Sequence, residues 1–329
     1  MSQPSKILIR MPNWLGDCVM AAPSIMGLRA ALPHCQITLL MKSQLAGLGR
    51  LIPSANDVLP LDDAGGYITK ARAEKFDTAL VLPNSFRSAW EVFRTGAPAR
   101  IGYAGDLRSW LLTRPVAKPG VKHSLHQSEY FLRLAREIAP DITIAAPELT
   151  VTAEAKAKAG SILPPVQKPF VGFGFGATYG SAKMWPSRKF AELAARLSSD
   201  YQIVLLGGEA DRWAEDEILK TCEKVKPFSL VGKTDIGALA AVMARLAIYI
   251  TNDTGPMHIS AALGTPTLAI FGPTSPEETS PLGPNVKVIY KKAACAPCWK
   301  RKCPTDHLCM ESITVDEVYG AALEMLRRK

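Results

Sequence analysis

The chain has 329 residues and carries 39 Lys+Arg against 30 Asp+Glu, a formal net charge of +9. At roughly 150 residues per domain this length fits two domains, each large enough to bury a core without a metal or disulfide. A composition of 47% hydrophobic and 21% charged residues excludes wholesale disorder, and the diffuse positive excess suits phosphates, nucleic acid or an acidic membrane face alike.

Lys6–Arg10 (KILIR) reads as a strand, and Asp17–Leu32 has helical periodicity. Gln36–Met41 is a second strand, followed by a helix ending near Pro53. Asp77–Leu82 and Arg100–Tyr103 are further strands, and Ser124–Ile138 is an amphipathic helix. Ala153–Ser161 is a short helix, and Leu163–Lys168 carries a Pro pair suited to a linker. The grammar then restarts. Strands are expected at Pro169–Phe175, Gln202–Leu206, Ala247–Thr251, Pro266–Phe271 and Val286–Tyr290. Helices are expected at Ser187–Ser198, Asp211–Lys224, Ile236–Arg245 and Val315–Arg328. Strands alternating with helices predict parallel sheets covered on both faces. Two α/β domains facing a central cleft, 1–165 and 166–329, are the expected architecture, with the terminal helix 315–328 free to pack back on the N-terminal domain.

The longest uncharged stretch, Thr254 to Pro276, is broken by His258 and repeated Gly and Pro, so no membrane span is predicted. Arg10, Pro12, Asn13 and Asp17 interrupt any signal-peptide core, and a cytoplasmic location is expected. Cys18, Cys35 and Cys222 are scattered and read as buried thiols in a reducing compartment.

Ligands of such sheets sit beyond the carboxyl ends of strands, so the strand-to-helix loops carry the chemistry. In Met11–Asp17 (MPNWLGD), Gly16 supplies backbone freedom. Asp17 falls in the first helical turn, where it either complements the helix dipole or accepts a proton from a substrate hydroxyl. Trp14 reads as a core aromatic ahead of a sugar-stacking platform. The Gly172–Pro186 loop has four glycines, and Gly172, Gly174 and Ala177 formally satisfy a dinucleotide fingerprint. That reading is set aside, because no acidic residue stands at a strand end about 20 residues on. The alternative brings backbone amides and Lys183 to a phosphate. In Thr251–His258, Thr254 or Asp253 can cap the next helix, Pro256 suits its first turn, and the amides after Gly255 can hold an anion. His258 alone reads as a packed core histidine. Finally, Cys295, Cys298, Cys303 and Cys309 surround Lys300, Arg301, Lys302 and His307. A structural zinc, a disulfide, free thiols and a phosphate-facing basic patch all remain open there.

Taken in order, WLGDCVMAAPS, FGATYGSAKMWP, VGKT-D, TNDTGPMHISAALGTPTLAIFGPTSP and CAPCWKRKCP resemble the ADP-heptose:lipopolysaccharide heptosyltransferases of glycosyltransferase family 9. The resemblance runs from about Lys6 to the terminal helix, and the late cysteine cluster leans toward the type II branch over type I. It implies a GT-B fold of two Rossmann-like domains, acceptor on the first and ADP-sugar on the second, and an inverting displacement that needs no metal or cofactor. Asp17 matches the catalytic base. Lys183 matches the lysine that holds the diphosphate, and Gly176, Thr178 and Ser181 line the same phosphates. Glu209 falls where a carboxylate binds the adenosine ribose. Asp253, Thr254, Gly255 and His258 match the donor loop, while Asn13, Trp14 and Gly16 fall on the acceptor side. Two departures are Phe175-Gly176-Ala177 for the family's Pro-Gly-Ala, and Met184 where Arg is common, which removes one cation near the pyrophosphate.

The implied partners are ADP-heptose, a phosphorylated lipid A–Kdo–heptose acceptor and the anionic face of the inner membrane, with no nucleic acid. The positive excess suits such a surface. Rival readings are a transferase acting on Kdo or a protein, an NAD-dependent oxidoreductase, and a non-catalytic basic module for anionic lipid or nucleic acid.

Overall fold

The computed structural model describes residues 3–62, 64–120, 125–222 and 225–327. The chain divides into two compact units, Met1–Thr150 and Val151–Lys329.

The first unit is built on six strands: Lys6–Arg10 (β1), Gln36–Lys42 (β2), Asp57–Leu61 (β3), Thr78–Val81 (β4), Ala99–Tyr103 (β5) and Arg114–Val116 (β6). They form one parallel sheet in the order β3-β2-β1-β4-β5-β6. Ile7, Leu8 and Ile9 are consecutive and all fully buried, which requires cover on both faces and explains their unbroken apolar run. The expected Asp17–Leu32 helix is two helices, Leu15–Met20 and Ala22–Ala31, with Pro23 in the first turn of the second. A proline lacks the N–H that would continue a helix but fits where one starts. The stretch before Pro53 is only a 3₁₀ turn, Ser43–Leu45, and one turn of helix, Ala46–Gly49. The amphipathic helix is Gln127–Arg136; its expected start, Ser124, lies outside the described residues.

The second unit repeats the plan with Phe170–Gly174 (β7), Gln202–Leu205 (β8), Phe228–Ser229 (β9), Leu246–Asn252 (β10), Thr267–Phe271 (β11) and Val286–Tyr290 (β12). Its order is β12-β11-β10-β7-β8-β9, again all parallel. Counted from its own first strand, each sheet therefore has the same doubly wound, Rossmann-like order. In each, the strand order reverses between the first strand and the fourth, β1 and β4 in one, β7 and β10 in the other. The crevice at such a reversal is where ligands bind.

Three expectations are adjusted here. Helix Ala153–Ile162 packs on helix Ile236–Met243 of the second unit, so the division precedes the Pro-rich Leu163–Lys168 segment. The terminal helix, Val315–Arg327, belongs to the second unit, where Val315, Val318, Ala322 and Met325 join Phe190, Leu193 and Ile250 in the core. Helix Arg212–Thr221 begins after a 3₁₀ turn at Glu209–Asp211. The expected helix ends, Lys224 and Arg328, lie outside the described residues. Among the described residues no helix is long and apolar enough to cross a membrane.

Candidate active site

At the first unit's reversal point, β1 ends with Arg10, whose side chain is almost fully buried. Its Nε donates to Glu91 Oε2 at 2.8 Å, Nη2 donates to Asn13 Oδ1 at 2.9 Å, and Nη1 donates to the Met11 carbonyl. Glu91 comes from helix Phe86–Phe93, which follows β4. A buried ion pair thus ties the two loops that flank the crevice and sets the shape of Met11–Asp17. Charges taken out of water are retained only when so paired. Asp17 lies in the first turn of helix Leu15–Met20, half-buried, and the N-cap residue Trp14 offers no side-chain cap. Trp14 is 55% exposed, so the core reading is corrected: its ring stands at the rim of the loop. Asn13 and Gly16 are half-buried beside it. Burial, and after it the Asp17 carboxylate, pushes the Cys18 thiol far above its ordinary range.

At the second reversal point, Gly174 ends β7 and the Gly-rich loop follows. A Cβ on Gly174 would fall 2.0 Å from Tyr249 Oη and 2.5 Å from Thr251 Oγ1, so only glycine lets β7 and β10 approach this closely. Asn252, buried at the end of β10, staples the loop at both ends. Its Nδ2 donates to the Phe175 carbonyl at 2.6 Å, and its Oδ1 accepts the Trp185 N–H at 2.9 Å. The Lys183 ammonium then lies 2.6 Å from Asp253 Oδ2 and 4.9 Å from the centre of the Tyr179 ring. Asp253 Oδ2 also accepts the Thr274 hydroxyl at 2.6 Å.

Asp253 is therefore engaged with Lys183 and Thr274, and does not cap the next helix. Helix Gly255–Ala262 has Thr254 at its N-cap without a side-chain cap bond and Pro256 in its first turn. Pro256 has no N–H and the Met257 N–H donates to the Thr254 carbonyl at 3.1 Å, but no side chain caps this end of the helix, so its positive dipole end stays uncompensated and suits an anion. His258 is buried within this helix beside Met257 and Ile259. Gly176 is buried, while Thr178 and Ser181 are exposed at the loop's outer edge.

Glu209 is exposed and paired with Arg212. Asp211 stands nearer the loop: a Cβ on Gly176 would overlap its carboxylate at 2.1 Å. The Gly208 N–H donates to Asp211 Oδ2 at 2.8 Å, yet burial pushes the carboxyl above its ordinary range.

The cysteine-rich segment clasps the Lys183 loop. Tyr179 Oη donates to the Trp299 carbonyl at 2.6 Å, the Ala182 N–H donates to the Arg301 carbonyl at 3.0 Å, and His307 Nε2 lies 2.7 Å from the Ala182 carbonyl. The Arg301 guanidinium sits 5.4 Å from the Tyr179 ring centre, so Arg301 and Lys183 share one aromatic ring. Cys295, Cys298, Cys303 and Cys309 are free thiols. Among the described residues, no group of three or more His, Cys, Asp or Glu is arranged to hold a metal ion.

Two like-ordered parallel sheets, one with a carboxylate loop at its reversal point and the other with a lysine and a helix N-terminus that no side chain caps, have the make-up of a GT-B glycosyltransferase. Sequence comparison is more specific: the chain belongs to Glycosyltransferase family 9 (heptosyltransferase), which matches residues 66–309. It is 31% identical to lipopolysaccharide heptosyltransferase 2 of Escherichia coli (strain K12), over 86% of this chain and 87% of that one. It is 29% identical to lipooligosaccharide heptosyltransferase 2 of Campylobacter jejuni (serotype O:2), over 98% of each. The solved structure of E. coli ADP-heptose lps heptosyltransferase II superposes with a TM-score of 0.86 at 29% identity, covering 98% of this chain and 99% of that one.

Sequence reasoning missed Arg10, Glu91, Asn252, Thr274 and Asp211. Asn252 left one signal, a polar residue closing an otherwise apolar strand directly before Asp253.

Proposed function

We propose that the protein transfers heptose from ADP-heptose to the inner-core heptose of a phosphorylated heptosyl-Kdo2-lipid A acceptor, with inversion, in lipopolysaccharide core synthesis. The observation that carries the donor half is the Lys183–Asp253 pair beside the uncapped helix Gly255–Ala262. A cation and the positive end of a helix dipole meet there, a pairing suited to a diphosphate. Relatives named for the same second heptosyl transfer support the acceptor half.

In this reading the acceptor hydroxyl oxygen attacks the anomeric carbon from the face opposite ADP. The bond from that carbon to the phosphate oxygen breaks, and its electron pair leaves with ADP. Negative charge grows on the β-phosphate, where Lys183 and the N-terminal end of helix Gly255–Ala262 oppose it; losing one such contact costs about 3 kcal/mol. Asp17 takes the hydroxyl proton. An ordinary carboxylate suffices, because the attacking oxygen becomes acidic as its new bond forms. Asn13, Trp14 and Gly16 shape the acceptor side. Gly176, Thr178, Ser181, Asp253, Thr254, Gly255 and His258 shape the donor side. Arg301, over Tyr179, supplies a second cation near the position where Met184 leaves none. Glu209 is the carboxylate for the adenosine ribose in this reading. The chemistry assigned to these side chains needs no metal or cofactor, and the enzyme works at the cytoplasmic face of the inner membrane.

Product analysis with ADP-heptose and heptosyl-Kdo2-lipid A tests this directly. One added heptose on the terminal heptose is expected. Transfer instead to Kdo2-lipid A lacking heptose, or to a protein, would replace the acceptor assignment.

A further inference from the structure

Helix Phe86–Phe93 buries Ser88, Ala89, Glu91 and Val92 against the first unit. Its opposite face carries Phe86, Trp90 and Phe93 at helical spacing, and all three are exposed. Trp90 and Phe93 stack with ring centres 5.6 Å apart. Trp110, from the loop after β5, lies 6.2 Å from Phe86 and 6.4 Å from Phe93. Four rings therefore form one continuous outward patch. Leu107 extends it at 88% exposure, in a left-handed backbone conformation (φ 55°). A leucine gains nothing from that conformation and here buries nothing, so folding energy does not account for its place.

The patch is rigidly mounted. Arg108, between Leu107 and Trp110, is fully buried. Its Nε donates to the Tyr103 carbonyl at 2.8 Å and its Nη1 to the Pro83 carbonyl, clamping this loop onto the turn that precedes Phe86. The rim is cationic. From Phe86 to Lys118, apart from the buried Arg108, there are five Arg or Lys and two acids. Of the acids, Glu91 is buried between Arg10 and Arg87, which it meets at 2.8 and 3.0 Å, and Asp106 is paired with Lys118 at 3.7 Å. The Arg87 side chain is 72% exposed, and Arg100 lies over the Phe93 ring.

We propose that Phe86, Trp90, Phe93, Leu107 and Trp110, with their arginine rim, dock the first unit onto an anionic lipid bilayer. Aromatic and leucine side chains ringed by cations are the composition of an interfacial membrane anchor, and each cation near an anionic leaflet strengthens adhesion. The rings begin where β4 ends, and Leu107 follows the end of β5. The patch thus lies along the same sheet edge as the Met11–Asp17 loop. This inference rests on the proposed lipid-linked acceptor, which must be met at a membrane.

Sedimentation with phosphatidylglycerol-containing vesicles tests it, using the full chain and a Trp90→Ser/Trp110→Ser variant. Wild type should sediment with these vesicles, less so in high salt and less with phosphatidylcholine alone. The variant should bind about tenfold or more weakly, with an unchanged melting temperature. Transfer to a soluble, delipidated heptosyl-Kdo acceptor should be equal for both. Equal vesicle binding by the two proteins, or none by wild type, overturns the proposal. So does a wild-type dimer that the variant dissolves without change in vesicle binding, which would make the patch an interface between copies. A variant impaired on the soluble acceptor overturns it too, since the rings would then belong to the sugar site. Failure of the functional reading is separate: no transfer to either acceptor, whatever the vesicles show.

Discussion

Lys183 Nζ and Asp253 Oδ2 are 2.6 Å apart, with both side chains largely buried. Asp253 thus holds the ammonium in place and is itself held by Thr274. Removing the lysine deletes the cation facing the leaving group and strands the carboxylate. Lys183→Ala is expected to lower kcat/KM for ADP-heptose by roughly 10²–10³. Initial rates at varied donor concentration check this, and unchanged donor kinetics would refute the assignment.

Asp17 sits in a different unit from these groups, so donor affinity and proton acceptance should separate. Asp17→Asn is expected to reduce kcat by roughly 10²–10⁴, while ADP-heptose still raises the melting temperature as in wild type. Near-normal turnover would sink the base assignment.

The Arg10–Glu91 pair is buried on both sides. Glu91→Ala leaves Arg10 uncompensated and should destabilise the first unit by about 3–5 kcal/mol. Urea unfolding measures it. A change below about 1 kcal/mol would mean that Arg10 finds other partners.

Gly180 has φ +154°, and a Cβ there would meet the Arg301 carbonyl at 2.3 Å. Gly180→Ala must push the clasp apart, so it should lower both the melting temperature and the shift caused by ADP. Gly320 offers the contrast, being mid-helix with open space around it. Gly320→Ala should stabilise by about 0.5–1 kcal/mol. Equal effects of the two changes would show that the clasp is not tight.

The clasp thiols should react in a fixed order. The Thr305 hydroxyl bonded to Cys303 draws that thiol below its ordinary value. Burial, then the charges of the other three sulfurs, push Cys309 up to about 11. The thiolate is the reactive form and grows as pH rises through the pKa. Iodoacetamide at neutral pH should therefore label Cys303 ahead of Cys309, and Cys309 should gain reactivity only in strong alkali. Peptide mass spectrometry reads the order, and Cys309 labelled first would contradict it. Thr305→Ala should slow Cys303.

The buried strands were legible because a strand covered on both faces is an unbroken apolar run, as in Ile7, Leu8 and Ile9. The β3 and β6 strands were not, because Pro60 and Pro115 argue against strand. Both sit at sheet edges, where a missing N–H goes unpaired without cost. Asp17, Lys183 and Asp253 could be picked out because each lies in or at the end of the segment that joins a strand to the next helix. Their supports could not. Glu91 looks like a surface residue mid-helix until Arg10, 81 positions earlier, is folded against it. Trp14 was misjudged for a related reason: large aromatics usually pack inside, and nothing local marks one kept at a rim.

The contact of His307 with Ala182 spans 125 positions, and the partners Trp299 and Arg301 are nearly as distant. All strands of both sheets precede residue 291. During synthesis the second sheet can therefore assemble while the lysine loop still lacks its fastening. The donor pocket becomes complete only when the last tenth of the chain has emerged, and the same stretch brings Met310, Ile313, Val318 and Ala322 into the second unit's core, so a chain truncated near Lys292 should lose the stability of that unit together with its hold on the nucleotide.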